Sequence, residues 1–345
     1  MERRNIILII LAIVGMVLIS IFLLGLGNHF ELKDVSASHN RGTTLYVGGN
    51  GPNNYTRIQD AIDNASSGDT VFVYNGTYHE NIIVYKSINL LGEDKNNTII
   101  DGGRDDAIVD VSADWVNISG FTIQNSSSGW YKAGIFLSSS SNYNTIKGNT
   151  LINNYYGIWI HISSNNTLIN NTFSNNNGDY GVYLDCSNNN TLITNTANNN
   201  AGGGFRLTLS NGNTLISNTA RKHNSSFGIY IHSSNNNILT DNILANNNCG
   251  IELDESSNNN ILTNNTAMNN NYGISVYYSS DNILTGNIAT NNDRGIYLFN
   301  SRNTNLTRNI ANNNIGSVRL QFMGIILTGN TEYQPKISVS TGLYT

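Results

Sequence analysis

The segment NILTDNILANNNCGIELDESSNN, residues 237–259, returns in altered copies every 22 to 24 residues, and this period narrows the fold more than any other feature. NTIKGNTLINNYYGIWI begins at 144, NTLINNTFSNNNGDYGVYL at 166, NTLITNTANNNAGGGFRL at 190 and NTLISNTARKHNSSFGIYI at 213. NILTNNTAMNNNYGISV at 260 and NILTGNIATNNDRGIYL at 282 follow, then a weaker copy, TNLTRNIANNNIGSVRL, at 304 and the remnant IILTGN at 325. Each copy holds three short apolar pieces, such as Ile238-Leu239, Ile243-Leu244 and Ile251-Leu253, separated by polar turns. Pieces this short form no hairpin sheet alone, but they can stack in parallel on the next copy at a strand spacing of about 4.8 Å. The repeat therefore predicts an all-β, three-sided parallel β-helix, each coil burying its aliphatic residues against its neighbours. The L-x-x-L-x-L signature of leucine-rich repeats is missing.

Composition agrees. The chain has 64 Asn in 345 residues, only 2 Pro, 12% charged and 39% hydrophobic residues, which is not the make-up of a disordered chain. Asn149, Asn171, Asn195, Asn218, Asn242, Asn265, Asn287, Asn309 and Asn330 share one phase of the repeat. Stacked amides at one phase predict a hydrogen-bonded ladder along the axis, while the looser NNN runs read as solvent-facing turns. Glycines at 134, 157, 181, 204, 228, 250, 273, 295 and 316 read as a corner that needs an unusual backbone angle. Upstream, glycines at 92, 120 and 148 mark two larger coils of 28 residues, with Phe121 at the ladder position.

The expected organisation is an apolar N-terminal segment over 1–27, a linker over 28–44, a β-helix of about eleven coils over 45–333 and a tail over 334–345. Within the β-helix, a short capping helix is expected at 55–66, with Thr56 and Gln59 as a capping box, and the regular repeats at 134–330. Residues 6–26 are uncharged, long enough to span a bilayer, and follow two Arg; they predict a single-pass anchor, or a cleaved signal, with the rest of the chain extracytoplasmic. The fading C-terminal coils leave end-to-end self-association as a partner mode. With a net charge of −5 and no basic stripe, the chain is not a nucleic-acid binder. Cys186 and Cys249 sit at different repeat phases and are not expected to pair.

The stretch YTRIQDAIDNASSGDTVFVYNGTYHENIIVYKSINLLGE, 55–93, followed by N-[TI]-x-L-x-x-N-[TI] and G-I-x-L coils, resembles the NosD-like proteins. The resemblance covers about residues 45–330. It implies a right-handed, pectin-lyase-type β-helix with carbohydrate-binding and sugar-hydrolysis repeats, extracytoplasmic and of the kind common in methanogenic archaea. It also implies a copper association, but the six His and four Met are scattered, and His161 and His232 lie three coils, about 14 Å, apart. No metal site and no cofactor are expected. GTYHE at 76–80 is similar to pectin methylesterases, but their downstream catalytic residues have no match. The polygalacturonase signature and the Asp-Pro-His-Asp run of mannuronan epimerases are missing too.

In G-I-x-L the Ile and Leu point inward and x outward. The outward residues include Phe136, Trp159, Tyr183, Arg206, Tyr230, Glu252, Ser275 and Tyr297, and two positions on, His161, Asp185, Thr208, His232, Asp254, Tyr277 and Phe299. Aromatic rings stack on sugar faces, so Trp159, Tyr183, Arg206, Tyr230, Tyr277 and Tyr297 are glycan-binding candidates on an exposed strip. Packing between neighbouring strands explains the same aromatics without a ligand. Glu252, Asp254, His232 and Asp185 are the candidates for acid–base chemistry on polysaccharide, since paired carboxylates flanking a sugar serve as acid and base. The reading favoured is a surface β-helix that binds glycans without catalysis, ahead of a polysaccharide-active enzyme and a copper-related maturation factor.

Overall fold

Strands of three to six residues, too short to pair within their own coil, pair in parallel with equivalent strands one coil away. The computed structural model describes residues 42–316 other than 104, 105 and 224, and the backbone of 317–321, 326–328, 331–333 and 337–340. The chain winds as a right-handed parallel β-helix of about 12 turns, with three sheets of 13, 12 and 12 strands. In the coil quoted above, Ile238–Thr240 belongs to the first sheet, Ile243–Ala245 to the second and Cys249–Asp254 to the third. The count exceeds the expected eleven, and the stack runs past the expected C-terminal bound of 333. Thr44–Val47 pairs with Thr70–Val73 at the start. Ile337–Ser340, expected to be tail, pairs with Gly316–Gln321 at the end. The expected membrane segment 6–26 lies outside the described residues, as does Asn330. Among the described residues no helix is long and apolar enough to cross a membrane.

One aliphatic residue per short strand points inward, and these form a single continuous core: Leu239, Leu244, Ile251 and Leu253 are all fully buried in one coil. The corners are polar yet equally buried. Asn242 shows how: its Oδ1 accepts from the Asn218 backbone N–H (2.9 Å) and Nδ2 (3.1 Å). Its Nδ2 donates to the Leu215 carbonyl (2.9 Å) and to Asn265 Oδ1 (2.9 Å). Every donor and acceptor of the amide is used, which is the condition for burying it. The same linkage runs unbroken from Asn149 to Asn309.

Two further amide ladders and one of hydroxyls run beside it. Asn154, Asn176, Asn200, Asn247, Asn270, Asn292 and Asn314 stack at the corner of the NNN runs, so one residue of each run there is buried rather than solvent-facing. Asn144, Asn166, Asn190, Asn213, Asn237, Asn260 and Asn282 form the third. Ser163, Ser187, Ser210, Ser234, Ser257, Ser279 and Ser301 form the fourth. His223 substitutes for Asn in the second ladder. It accepts from the Asn200 N–H on Nδ1 (3.1 Å), leaving Nε2–H for the Ala197 carbonyl (3.2 Å), and burial holds its pKa below the usual value.

The turn into each ladder residue needs a left-handed backbone one position earlier, as at Asp241 (φ +56°), Asn246 (+57°) and Asn259 (+56°). Asn tolerates this conformation better than most residues, which explains a second Asn at many of the corners. The fixed-phase glycines have a different role from the one expected, because their φ is not positive. A Cβ on Gly250 would sit 2.5 Å from the Gly273 carbonyl oxygen, and one on Gly273 would sit 2.4 Å from that of Gly295. They are glycines because successive coils approach too closely there for any side chain.

A helix forms at Ile58–Asn64 with Ile58, Ala61 and Ile62 buried, but the expected capping box does not form. Arg57 is the N-cap and its side chain does not cap; the Glu80 carboxylate accepts from the N–H groups of Ile58 (2.9 Å) and Gln59 (3.1 Å) instead. Gln59 is thereby freed to bond both ways with the backbone of Ile83 in the edge strand Ile82–Val84. Lys86 Nζ takes the carbonyls of Ile62, Asp63 and Ala65 at the other end of the helix.

Two stability predictions follow from the ladders and the close coils. Asn242→Ala strands the Asn218 N–H and the Leu215 carbonyl in the core and should cost about 2–4 kcal/mol, whereas Asn271→Ala, on an exposed corner, should cost under about 0.5 kcal/mol in urea melts. Gly250→Ala should destabilise by about 1–3 kcal/mol, read as a lowered urea midpoint.

Candidate functional site

Sheet alternation determines which residues meet solvent on the third sheet. With Ile251 and Leu253 inside, Glu252 and Asp254 point out, and register aligns the same positions in neighbouring coils. One row runs Asp110, Phe136, Trp159, Tyr183, Arg206, Tyr230, Glu252, Ser275 and Tyr297. The second runs His161, Asp185, Thr208, His232 and Asp254, with Tyr277 and Phe299 paired beyond it.

Outward does not mean exposed on this face. Trp159 is fully buried, and Phe136, Tyr183 and Tyr297 are under a tenth exposed, contrary to the open strip expected. The cause is the larger coil before Trp159. Its extra residues, between strands Thr122–Gln124 and Ala133–Leu137, fold over the face, and Tyr131 stacks flat on Trp159 with centroids 4.9 Å apart and planes at 7°. Tyr156 and Tyr183 pack at Trp159 from the other side, 5.0 and 5.4 Å away. Trp130 then takes the surface place meant for Trp159: it is 75% exposed, and Tyr131 47%. Sequence reasoning missed both. The signal was present in SGWYK, an aromatic pair in an insertion that breaks the period. Beside Tyr131 a recess of about 180 Å³ is lined by Asn81, Ile83, Asp106, Asp110 and Phe136 among others, and burial raises the Asp110 pKa.

Two aromatic–guanidinium clusters continue the face. The Arg206 guanidinium lies 5.5, 5.1 and 5.7 Å from the rings of Tyr180, Tyr183 and Tyr230, and its Nε donates to Thr208. Arg294 lies over Tyr272 and Tyr297, at 4.9 and 5.3 Å, and Tyr277 leans on Tyr297 at 5.2 Å. Between the clusters the row drops to Glu252 and the small, fully buried Ser275.

The polar groups of this interval converge. Burial, then the negative charge of Asp254, pushes the Glu252 carboxyl up to about 7, against a hydrogen bond from Cys249 that acts to lower it. The Tyr230 hydroxyl lies 3.2 Å from both His232 Nδ1 and Asp254 Oδ2. His232 Nε2 lies 3.6 Å from Glu255 Oε2. The structure thus gathers Glu252, Asp254 and His232. Asp185 stands apart, three strand spacings from Asp254 along its row and bound to His161 Nδ1 at 2.8 Å. The expectation of no metal site rested on scattered His and Met; among the described residues His232, Asp254 and Glu255 offer ligand atoms all within 4.8 Å of one another. Cys186 and Cys249 are unpaired thiols, and burial raises the pKa of both.

Solved structures share this architecture. The periplasmic alginate epimerase AlgG is 15% identical with a TM-score of 0.63, covering 81% of this chain and 84% of that one. The mannuronan C-5 epimerase AlgE6 A-module of Azotobacter vinelandii is 15% identical at 0.60, covering 81% and 95%. The catalytic domain of a GH87 alpha-1,3-glucanase, in complex with nigerose, is 13% identical at 0.57, covering 88% and 68%. At these identities the likeness concerns the fold. No curated protein matches the chain. The family described as "Periplasmic copper-binding protein (NosD)" matches over residues 62–225 and 210–332, most of the β-helix. The chain belongs to the NosD family.

Proposed function

We propose that the protein is an extracytoplasmic β-helix that binds polysaccharide along its third sheet, held at a membrane by residues 6–26. The observation that carries this reading is the exposed Trp130–Tyr131 platform, set beside a recess that holds Asn81, Asp106 and Asp110 and continued by the two aromatic–arginine clusters. Rings offer apolar faces to the C–H side of a sugar, while Asp110, Arg206 and Glu252 supply hydrogen bonds to hydroxyls. The polysaccharide-active AlgG, AlgE6 and GH87 relatives in fold support the choice of ligand class. The full chain should be retained on one or more of a panel of surface and plant polysaccharides. Trp130→Ala and Tyr230→Ala should each weaken retention about tenfold with the melting temperature little changed; retention that survives both would refute the reading. Trp159→Ala should act differently, lowering stability by about 3 kcal/mol through the buried cluster it anchors.

A second reading, turnover of the bound polysaccharide, is favoured by Glu252. A carboxyl with a pKa of about 7 keeps its proton on about half of the molecules in neutral solution and can donate it, with Asp254 on the same strand and His232 in the adjacent coil. Release of shortened or unsaturated products, abolished in Glu252→Gln, would establish this reading. The raised pKa also has a stability signature. The folded state holds the Glu252 proton more tightly than the unfolded chain, so its contribution to stability falls as pH rises from about 4.5 to about 7. Glu252→Gln should therefore be more stable than the wild type at pH 8, by on the order of 2 kcal/mol, with the difference gone near pH 4.

The copper association of the family has only a partial counterpart here. The described residues hold no group of thiols and thioethers that would suit the cuprous ion: Cys249 is enclosed in the core and Cys186 lies on a corner of another coil. The donor set that does exist is one imidazole with two carboxylates, which suits a divalent ion.

A further inference from the structure

One residue of the chain is out of register in a way that creates a cluster. In most coils a single left-handed residue separates the outer row of the third sheet from the serine ladder: Cys186 between Asp185 and Ser187, Ser233 between His232 and Ser234, Tyr278 between Tyr277 and Ser279. Between Asp254 and Ser257 there are two, Glu255 (φ +46°) and Ser256 (φ +64°). The ladder is preserved across the insertion, since the Ser257 hydroxyl still accepts the Ser234 N–H and donates to the Asp254 carbonyl. The inserted residue is thereby carried outward, and its carboxylate comes to rest over His232, one coil away.

We propose that His232, Asp254 and Glu255 bind a divalent first-row transition ion. The imidazole and the two carboxylates come from two adjacent coils, so the rigid stack fixes the separation of the backbones that carry them. Their side chains are a quarter, a fifth and two-thirds exposed, leaving the corner open to an ion and to the waters that would complete its coordination. Nδ1 of His232 lies 4.0 Å from Asp254 Oδ2 and Nε2 lies 3.6 Å from Glu255 Oε2, and one donor atom from each of the three residues lies within 4.8 Å of the other two. The Tyr230 hydroxyl, in hydrogen-bond reach of both His232 and Asp254, is placed to orient them. Nitrogen and carboxylate donors without sulfur select divalent over cuprous ions, and at such a site Cu²⁺ binds more tightly than Zn²⁺. The His161–Asp185 pair is similar but has no inserted acid opposite it, and serves as an internal control. The site stands independently of glycan binding, and its test uses no sugar.

The test is equilibrium dialysis of the full-length protein against Cu²⁺ and Zn²⁺, with the electron paramagnetic resonance spectrum of the Cu²⁺ form. One equivalent should bind most tightly, Cu²⁺ ahead of Zn²⁺, with a spectrum showing nitrogen and oxygen ligands. Glu255→Gln, at an exposed position that should not disturb folding, should weaken that equivalent at least about tenfold, and His232→Asn should remove it, while His161→Asn leaves it unchanged. Loss of the tight equivalent in His161→Asn, its survival in His232→Asn or Glu255→Gln, or no stoichiometric binding by the wild type would each overturn the proposal.

Discussion

Burying an amide is unfavourable unless all of its hydrogen bonds are made, and the interior corners of this protein consist of amides that are. In isolation one coil could not supply those partners: Asn242 reaches back to Leu215 and Asn218 and forward to Asn265. A coil with only one neighbour therefore leaves half of its corner groups unmatched, and coils are stable only in a stack. The aliphatic core alone does not impose this, since Leu239 could pack against any apolar neighbour. The ladders do, because they accept only an identical corner at the strand spacing. They set the register to the residue, and with it the two outward rows of the third sheet on which any function depends.

Such a stack tolerates variation outside and very little inside. The glycines near the start of the third-sheet strands, such as Gly157, Gly250 and Gly273, show the limit, for there even a methyl group would collide with the carbonyl of the next coil. His223 shows what can be accommodated: an imidazole that reproduces the acceptor and donor of the missing Asn, at the expense of remaining uncharged. The outward rows have no such constraint, and they carry Trp, Tyr, Arg, Glu and His at positions equivalent by register. The conserved geometry is a backbone property, and the chemistry is added by side chains that the backbone does not dictate.

This division explains what could be read in advance. The period, the parallel stack and the ladder from Asn149 to Asn309 were legible because identical residues recur at identical phase. The second ladder was visible in the same rows but was assigned to solvent, since an NNN run looks hydrophilic; only the alternation of left-handed and buried positions reveals which of its residues faces inward. The glycines were assigned the wrong cause because a sequence shows that a side chain is missing and not what would have touched it. Burial of Trp159 was illegible for a related reason, since the residues that cover it, Trp130 and Tyr131, come from an insertion whose path no repeat predicts. Likewise Glu255 could be read as one more turn residue until its neighbours in the adjacent coil were known.

Three places where the face departs from uniformity are the long turn bearing Trp130 and Tyr131, the drop from Tyr230 to Glu252 and Ser275, and the extra residue at Glu255. A perfectly regular solenoid presents the same surface in every coil, so it can offer affinity by repetition but cannot single out one position along its length. Selectivity for a site requires a coil that differs from its neighbours, and the ladders confine such differences to turns and outward positions. An insertion between Asp254 and Ser257 leaves every buried bond in place while moving one carboxylate across to the next coil. In a fold held by its interior, that is the least costly way to bring residues from different coils together.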